Sequence, residues 1–336
     1  MGTSAYAELK MNEFGRNDRE SHGDYVRAAV ESISSAARSS LAASWRRSLL
    51  YHKLDPEAAL RPERVETSIV KKSTERLGRL MRSAGPILDH VFKGVGYSGC
   101  CVLLANSEGL VLDHRAKPTD DQMFGKWGLY TGSVWSEGNE GTNGIGTCLA
   151  EQRLVSILGN QHFHIRNAAM SCIGAPIFDE NARLAAVLDV SSCLGADQIG
   201  AVAALIAMVV SDSARKIENE NFREAFPGCR IVVAPGHGMR YSSLLAVDRY
   251  DIVMGATRGA RQILRLSEDA LCRPLSDILT AERQFSDLKA AERAELQRAL
   301  SRSKGDVSAA ARDLGIGRAT LYRKMKKLGI LGTTAA

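Results

Sequence analysis

Asp306-Val-Ser-Ala-Ala-Ala-Arg-Asp-Leu-Gly-Ile-Gly-Arg-Ala-Thr-Leu-Tyr-Arg-Lys-Met-Lys-Lys327 decides the fold of the C-terminal region. Two short helical patterns meet at Gly315-Ile316-Gly317, where glycine supplies the backbone freedom of a tight interhelical turn. Ala309, Ala310 and Ala311 are small enough for a partner helix to approach closely. In the second pattern Leu321, Met325 and Leu328 are spaced four and three apart, which at about 100° per residue places them on one face. Thr320, Arg323 and Lys327 fall on the opposite face, and Arg318 projects from the first turn. An apolar stripe backed by a cationic, hydrogen-bonding stripe is what a helix reading the major groove requires.

Charge supports this reading. The 336 residues carry 44 Lys/Arg and 38 Asp/Glu, a net charge of +6. Residues 288–336 hold 11 Lys/Arg against 4 Asp/Glu, a net of +7, so residues 1–287 come to −1. The excess positive charge lies in the tail, as expected of a DNA-binding module on a near-neutral body. Double-stranded DNA is the expected partner.

The tail resembles the Fis family, the C-terminal domains of bacterial enhancer-binding activators among them. The resemblance is carried by Leu296, Ala299-Leu300, Gly305-Asp306, Ala309-Ala310-Ala311, Leu314-Gly315-Ile316, Arg318 and the run from Thr320 to Lys327. It implies an all-α helix-turn-helix domain over 281–336, in which Ser308, Arg318, Thr320, Tyr322, Arg323, Lys324 and Lys327 meet DNA. Asp306 stands where many relatives have Asn, and Gly317 replaces a usual Ser or Asn. The second change removes a side-chain N-cap, weakening the helix by roughly a few tenths of a kcal/mol.

The rest of the chain has the composition of a soluble globular protein, 45% hydrophobic and 24% charged, with room for two or three domains. The longest apolar run, Ile199 to Val210, is interrupted by Gly200 and is too short to cross a bilayer. Residues 1–23 are polar, lack the apolar segment of a secretory signal, and are expected to form a flexible leader. Seven cysteines without paired spacing suit reduced thiols in the cytoplasm.

Helical spacings dominate 24–94, with Val26, Val30, Ile33, Val65, Ile69, Leu77, Leu80, Ile87 and Leu88 as apolar positions and turns at Asp55-Pro56 and Arg61-Pro62. Over 95–195 strands are expected. Cys100–Leu104 and Leu110–Leu112 form a hairpin about Asn106-Ser-Glu-Gly109; Arg153–Leu158, Met170–Phe178 and Leu184–Val190 follow. A long helix is expected over 196–223. Within 224–280, Leu244–Asp248 and Asp251–Ala256 read as two strands followed by a helix near Ile263-Leu264. That segment looks like a degenerate PAS-type unit and needs no cofactor to explain it.

The densest local signature is Trp135-Ser-Glu-Gly-Asn-Glu-Gly-Thr-Asn-Gly-Ile-Gly-Thr-Cys-Leu-Ala150. Thr142 or Asn143 suits the N-cap of a helix over 143–152. A glycine-rich loop entering a helix can cradle an anion, but close backbone packing in a purely structural turn is the favoured reading. With Gly125, Gly128-Leu129, Gly132, His162-Phe163, Cys172, Ala175-Pro-Ile-Phe178 and Leu188-Asp189-Val190, the segment resembles the GAF domains of activators of acetoin and related small-alcohol catabolism. Ser44-Trp45-Arg46-Arg47-Ser48 with Leu54-Asp55-Pro56 is similar to that family's helical lead-in. The resemblance implies an α+β fold: a GAF-type antiparallel sheet with flanking helices, a small PAS-like unit and the all-α tail. It also implies a small-molecule effector pocket between sheet and helices, with Phe124, Trp127, Trp135, Thr147, His162, Cys172 and Asp189 as its candidate residues. A homodimer is the expected assembly, by half-site geometry, and RNA polymerase is a further possible partner.

The resembled activators carry an ATPase domain between sensor and tail. No Gly-x-x-x-x-Gly-Lys-Ser/Thr occurs in this chain, so it is expected neither to hydrolyse ATP nor to remodel sigma-54 polymerase by itself. His162 and His164 with Cys148 and Cys172 invite a metal reading, but small buried residues explain them better, and no metal or cofactor is expected. Cys100 and Cys101 point to opposite sides of a strand, and no Gly-x-Ser-x-Gly elbow supports a hydrolase. The expected function is a non-enzymatic, ligand-responsive transcription regulator. Its competitors are a redox enzyme using cysteine chemistry and a non-catalytic co-regulator of a sigma-54 activator.

Overall fold

A five-stranded antiparallel sheet lies at the centre of the first of two units, Met1–Leu275 and Ser276–Ala336. The computed structural model describes residues 21–31, 39–58, 62–96, 99–193, 199–234, 243–267, 271–279 and 288–330. Most of the expected leader, Ile33, Arg61, the first residues of the expected long helix and residues 280–287 lie outside them. The sheet strands are β1 (Cys100–Asn106), β2 (Val111–Arg115), β3 (Val155–Leu158), β4 (Ser171–Phe178) and β5 (Leu184–Ser192), in spatial order β2-β1-β5-β4-β3. The expected hairpin is β1–β2. It turns at Gly109, whose φ of +83° favours glycine, while Asn106 Oδ1 accepts the amides of Glu108 and Leu110, each at 3.0 Å.

Strands β1, β4 and β5 are buried almost throughout, on both faces, which is why they read as continuous apolar runs instead of alternating ones. Two faces need two covers. The helices of this unit are α1 (His22–Glu31), α2 (Ser40–Arg46, running into a π-helical turn, Arg47–Tyr51), α3 (Thr67–Arg76), α4 (Gly78–Val95), α5 (Asp121–Trp127), α6 (Glu137–Glu140), α7 (Gly144–Glu151) and α8 (Ala203–Ala225). Leu80, Ala84, Leu88 and Val91 of α4 and Ile206, Val210, Ala214 and Ile217 of α8 pack on Val102, Leu104, Ile173, Leu188 and Val190. The opposite face, Cys101, Leu103, Cys172 and Val187, lies under Phe124, Leu129, Trp135, Ile145 and Cys148. Segments expected as lead-in and connector thus belong to the core of the large sheet. The connecting helix begins at Ala203, later than expected, after a turn at residues 201–202. Val65 precedes α3 and is not helical.

A small antiparallel sheet follows, β6 (Arg230–Val233), β7 (Leu244–Val247) and β8 (Val253–Ala256), then α9 (Arg258–Leu264). Phe222, Leu244 and Ala246 form its core, with Phe226 and Ile231 against them. The sequence reading found only two of these strands, because β6 is a short edge strand whose residues stay partly or fully exposed.

In the second unit three helices pack together, α10 (Leu288–Arg302), α11 (Val307–Asp313) and α12 (Arg318–Lys327), and a short helix, Leu275–Leu279, stands at its start. Leu296, Ala299, Ala310, Ala311, Leu321 and Met325 make its core, as the spacing required. Gly315 takes a φ of +64° in the turn. The fold class is α+β, as expected.

Candidate functional site

Register places His114, Leu103, Asp189, Gly174 and Val155 in one row across the large sheet. Asp189 is therefore a carboxylate in the middle strand, on the face covered by α5 and α7. It is fully buried, and burial pushes its carboxyl up to about 7. Its Oδ2 accepts from Ser191 Oγ at 2.5 Å; its Oδ1 has no partner. Ser191 Oγ also lies 3.2 Å from Cys172 Sγ, and Cys172 Sγ lies 3.4 Å from His162 Nε2. His162 Nδ1 stands 2.9 Å from the Gly159 carbonyl, and burial pulls the ring's pKa down to about 4.

Neutral His162 donates from Nδ1 to the Gly159 carbonyl and accepts a hydrogen bond from the Cys172 thiol at Nε2. Ser191 Oγ donates to Asp189 Oδ2 and lies within reach of Cys172 Sγ. One acceptor is left over, Asp189 Oδ1.

Helix α7 closes over this chain without a gap. A Cβ on Gly144 would stand 2.4 Å from Asp189 Oδ1 and 2.6 Å from the Cys172 Cβ; one on Gly174 would stand 2.6 Å from the Gly144 carbonyl oxygen. Gly144 and Gly174 are therefore contact glycines that let helix and sheet touch. Of the two candidate caps, Asn143 is the one used: its Oδ1 accepts the Gly146 amide at 2.8 Å.

The outer side of α7 is held by α2. Thr147 Oγ1 accepts the Asn143 amide at 3.2 Å and lies 3.3 Å from Ser44 Oγ. Ser44 Oγ also bonds Glu137 and lies 2.7 Å from Thr142 Oγ1. Buried Glu137 accepts Arg47 Nε at 2.7 Å and Nη2 at 3.0 Å, and Arg47 reaches Glu151 at 3.0 Å. The loop bearing His162 is pinned likewise. Trp45 Nε1 donates to the Gln161 carbonyl at 2.9 Å, His22 Nε2 lies 3.1 Å and 3.0 Å from the His162 and Phe163 carbonyls, and Arg166 pairs with buried Glu140.

Of the seven pocket candidates, His162, Cys172 and Asp189 meet. Thr147 faces away from them, into the Ser44–Glu137 contacts. Trp135 is buried with its Nε1 donating to the Gly128 carbonyl at 3.0 Å, and Phe124 packs edge-on to His114; both are core residues. Trp127 sits half-buried at the margin. The sequence reading missed Ser191, which alternation puts on the Asp189 face, and Ser44, Glu137 and Arg47, whose meeting spans about ninety residues of chain. Burial raises the thiols of Cys101, Cys148 and Cys172 well above their ordinary range. Among the described residues no group of three or more His, Cys, Asp and Glu is placed to hold a metal ion, and no helix is long and apolar enough to cross a membrane.

In the tail, Arg318, Tyr322, Arg323 and Lys327 are exposed on α12, while Leu321 and Met325 are buried. The Arg318 guanidinium lies 5.7 Å from the centre of the Tyr322 ring, and Arg323 Nη2 lies 3.5 Å from Thr320 Oγ1. Gly317 occupies the N-cap with no side-chain bond. Asp306 caps α11 through the amides of Ser308 and Ala309, at 2.7 and 3.2 Å. Lys324 is half-buried and paired with Glu292 of α10, and Lys326, outside the expected set of contacts, is exposed.

Comparison with known proteins agrees with both units. The Fis family of bacterial regulatory proteins matches residues 288–328, and the MimR N-terminal domain matches residues 21–218. The acetoin catabolism regulatory protein of Cupriavidus necator is 30% identical over 225 residues, covering 66% of this chain and 34% of that protein. The propane 2-monooxygenase operon transcriptional activator MimR of Mycolicibacterium smegmatis is 31% identical over 158 residues, 46% of this chain and 26% of that protein. The chain thus spans about a third or less of the length of these relatives. The crystal structure of the E. coli DhaR(N)–DhaL complex shares the fold, with a TM-score of 0.51 and 16% identity over 78% of this chain and 86% of that one. The relatives are transcription regulators. The chain belongs to the MimR N-terminal domain family and carries a Fis-type helix-turn-helix domain.

Proposed function

We propose that the chain is an effector-responsive regulator: a small molecule binds at the Asp189 face of the sensor sheet, and the tail binds operator DNA as part of a homodimer. The observation that carries the effector reading is the orphaned Asp189 Oδ1 in a wholly buried setting. A buried acceptor without a donor costs stability, and a ligand hydroxyl would supply the missing bond. The name of the Cupriavidus necator relative suggests acetoin as the compound to try first, and the resemblance noted in the sequence adds short-chain alcohols and ketones. Since Gly144 seals the face, the effector enters by displacing α7, and the change is transmitted through the sensor's packing to the DNA-binding tail. RNA polymerase is the downstream partner in this scheme, and the cytoplasm its site of action.

The chain acts without catalysis in this reading. These residues contain no P-loop motif, which supports a reading in which they do not themselves drive ATP-dependent remodelling. A cysteine-based redox enzyme is disfavoured by the raised, buried thiols, because the thiolate is the reacting species. A thermal-shift screen of small alcohols, diols and hydroxyketones tests the effector site. Stabilisation of the native chain that disappears in Asp189→Ala is expected; equal stabilisation of both proteins sinks the assignment.

A further inference from the structure

The resemblance of the tail to its family places Lys324 among the DNA contacts. The geometry points elsewhere: we infer that Lys324 is a positioning residue, which with Glu292 sets the pose of the recognition helix. The phosphate-facing cations are then Arg318, Arg323, Lys326 and Lys327. This inference rests on DNA binding by the tail.

Two independent observations carry it. Lys324 follows Leu321 by three residues and precedes Leu328 by four, so it flanks the stripe that packs on the other helices. Arg323 lies about 160° from Leu321 on the helix, and Lys324 only about 60°. Its ammonium is, moreover, already in contact with Glu292 Oε1 of α10, a bond that spans 32 residues and holds the Glu292 carboxyl below its ordinary range. Glu292 lies on the first helix of the unit, one turn before buried Leu296. The pair therefore ties the middle of the recognition helix to the start of α10, while α11 is tied separately through Arg302 and Asp313 at 2.8 Å. A lysine engaged on the protein side of the helix releases no counterion when DNA binds. It governs how well its neighbours face the phosphates.

Salt dependence separates the two roles, because each phosphate neutralised by a cation contributes about 0.9 to the slope of log K against log salt concentration. Binding of the full chain to a fluorescein-labelled mixed-sequence duplex is measured across a salt series. Lys327→Met should reduce the slope by about 0.9, whereas Lys324→Met should weaken binding with the slope unchanged. Charge reversal gives a second readout. Lys324→Glu sets two carboxylates together and should weaken binding by about tenfold or more; adding Glu292→Lys should recover most of that loss. A lysine acting through its own phosphate contact would not be restored by a cation moved to α10. A slope reduced by about 0.9 in Lys324→Met, or no recovery in the double variant, overturns the inference. Failure of the unaltered chain to bind the duplex at any salt concentration would instead overturn the DNA reading of the tail.

Discussion

Gly144 and Asp189 touch: a Cβ added to the glycine would stand 2.4 Å from the carboxylate Oδ1. The same Cβ would meet the Cys172 Cβ at 2.6 Å, which cannot yield without moving strand β4. Gly144→Ala should therefore destabilise the sensor by about 1–3 kcal/mol, as overpacking of a closed interior does. Urea unfolding checks this. Gly200→Ala is the control, since nothing lies within 4 Å of its Cβ position. If both variants unfold alike, α7 is not seated on Asp189 as described.

The Asp189 carboxyl should give stability a specific pH dependence. Its pKa rises from an ordinary value of about 3.9 to about 7 on burial. Between those values the folded chain keeps a proton that the unfolded chain has released. The contribution is present in full below pH about 4 and is lost as pH climbs to about 7, roughly 4 kcal/mol in total. His162 and His164, both lowered to about 4, act in the opposite sense: their contribution is present above about pH 6.5 and fades as pH falls towards 4. Wild type therefore partly compensates. In Asp189→Asn the compensation is gone, and stability should climb more steeply between about pH 4 and 7. Parallel curves for the two proteins would show that the carboxyl is ionised in the folded chain.

The contact between Arg47 and Glu137 joins α2 to the glycine-rich segment. Arg47→Ala leaves buried Glu137 short of its cation and should cost about 2 kcal/mol, less than a wholly buried pair because a third of Arg47 still meets water. Glu137→Gln in that background should restore part of the loss, because the stranded charge is removed. Thermal unfolding of the two variants decides it; an additive loss would mean that the two side chains act independently.

On α12, Arg323 faces outward opposite the buried Leu321. Arg323→Ala should cost about 1–3 kcal/mol in binding to the duplex selected by the wild-type chain from a random pool, and less on mixed sequence. An unchanged footprint on the selected duplex would remove Arg323 from the recognition surface.

Much of this architecture was legible in the chain because it depends on local periodicity. Leu321, Met325 and the alanine run required a helix pair, and the strands of the sensor followed from apolar runs between turn residues. The meeting of His162, Cys172 and Asp189 was partly legible, since each lies in a distinct short motif. Ser44 with Glu137 was not, because two polar residues so far apart in sequence give no periodic signal. The pairing of Lys324 was not legible for a related reason: a lysine next to Arg323 reads as groove-facing until the position of Glu292 is known.

The sequence by itself determined most of the helices and strands, which tail residues are cationic, and that these residues contain no P-loop; these follow from spacing and composition. Only the tertiary structure decided that Gly144 closes on Asp189, that one carboxylate oxygen is left without a donor, and that Lys324 is held by Glu292. The reason is physical. Periodicity fixes the face of an element, but desolvation and pairing of a polar group depend on which other element arrives against it.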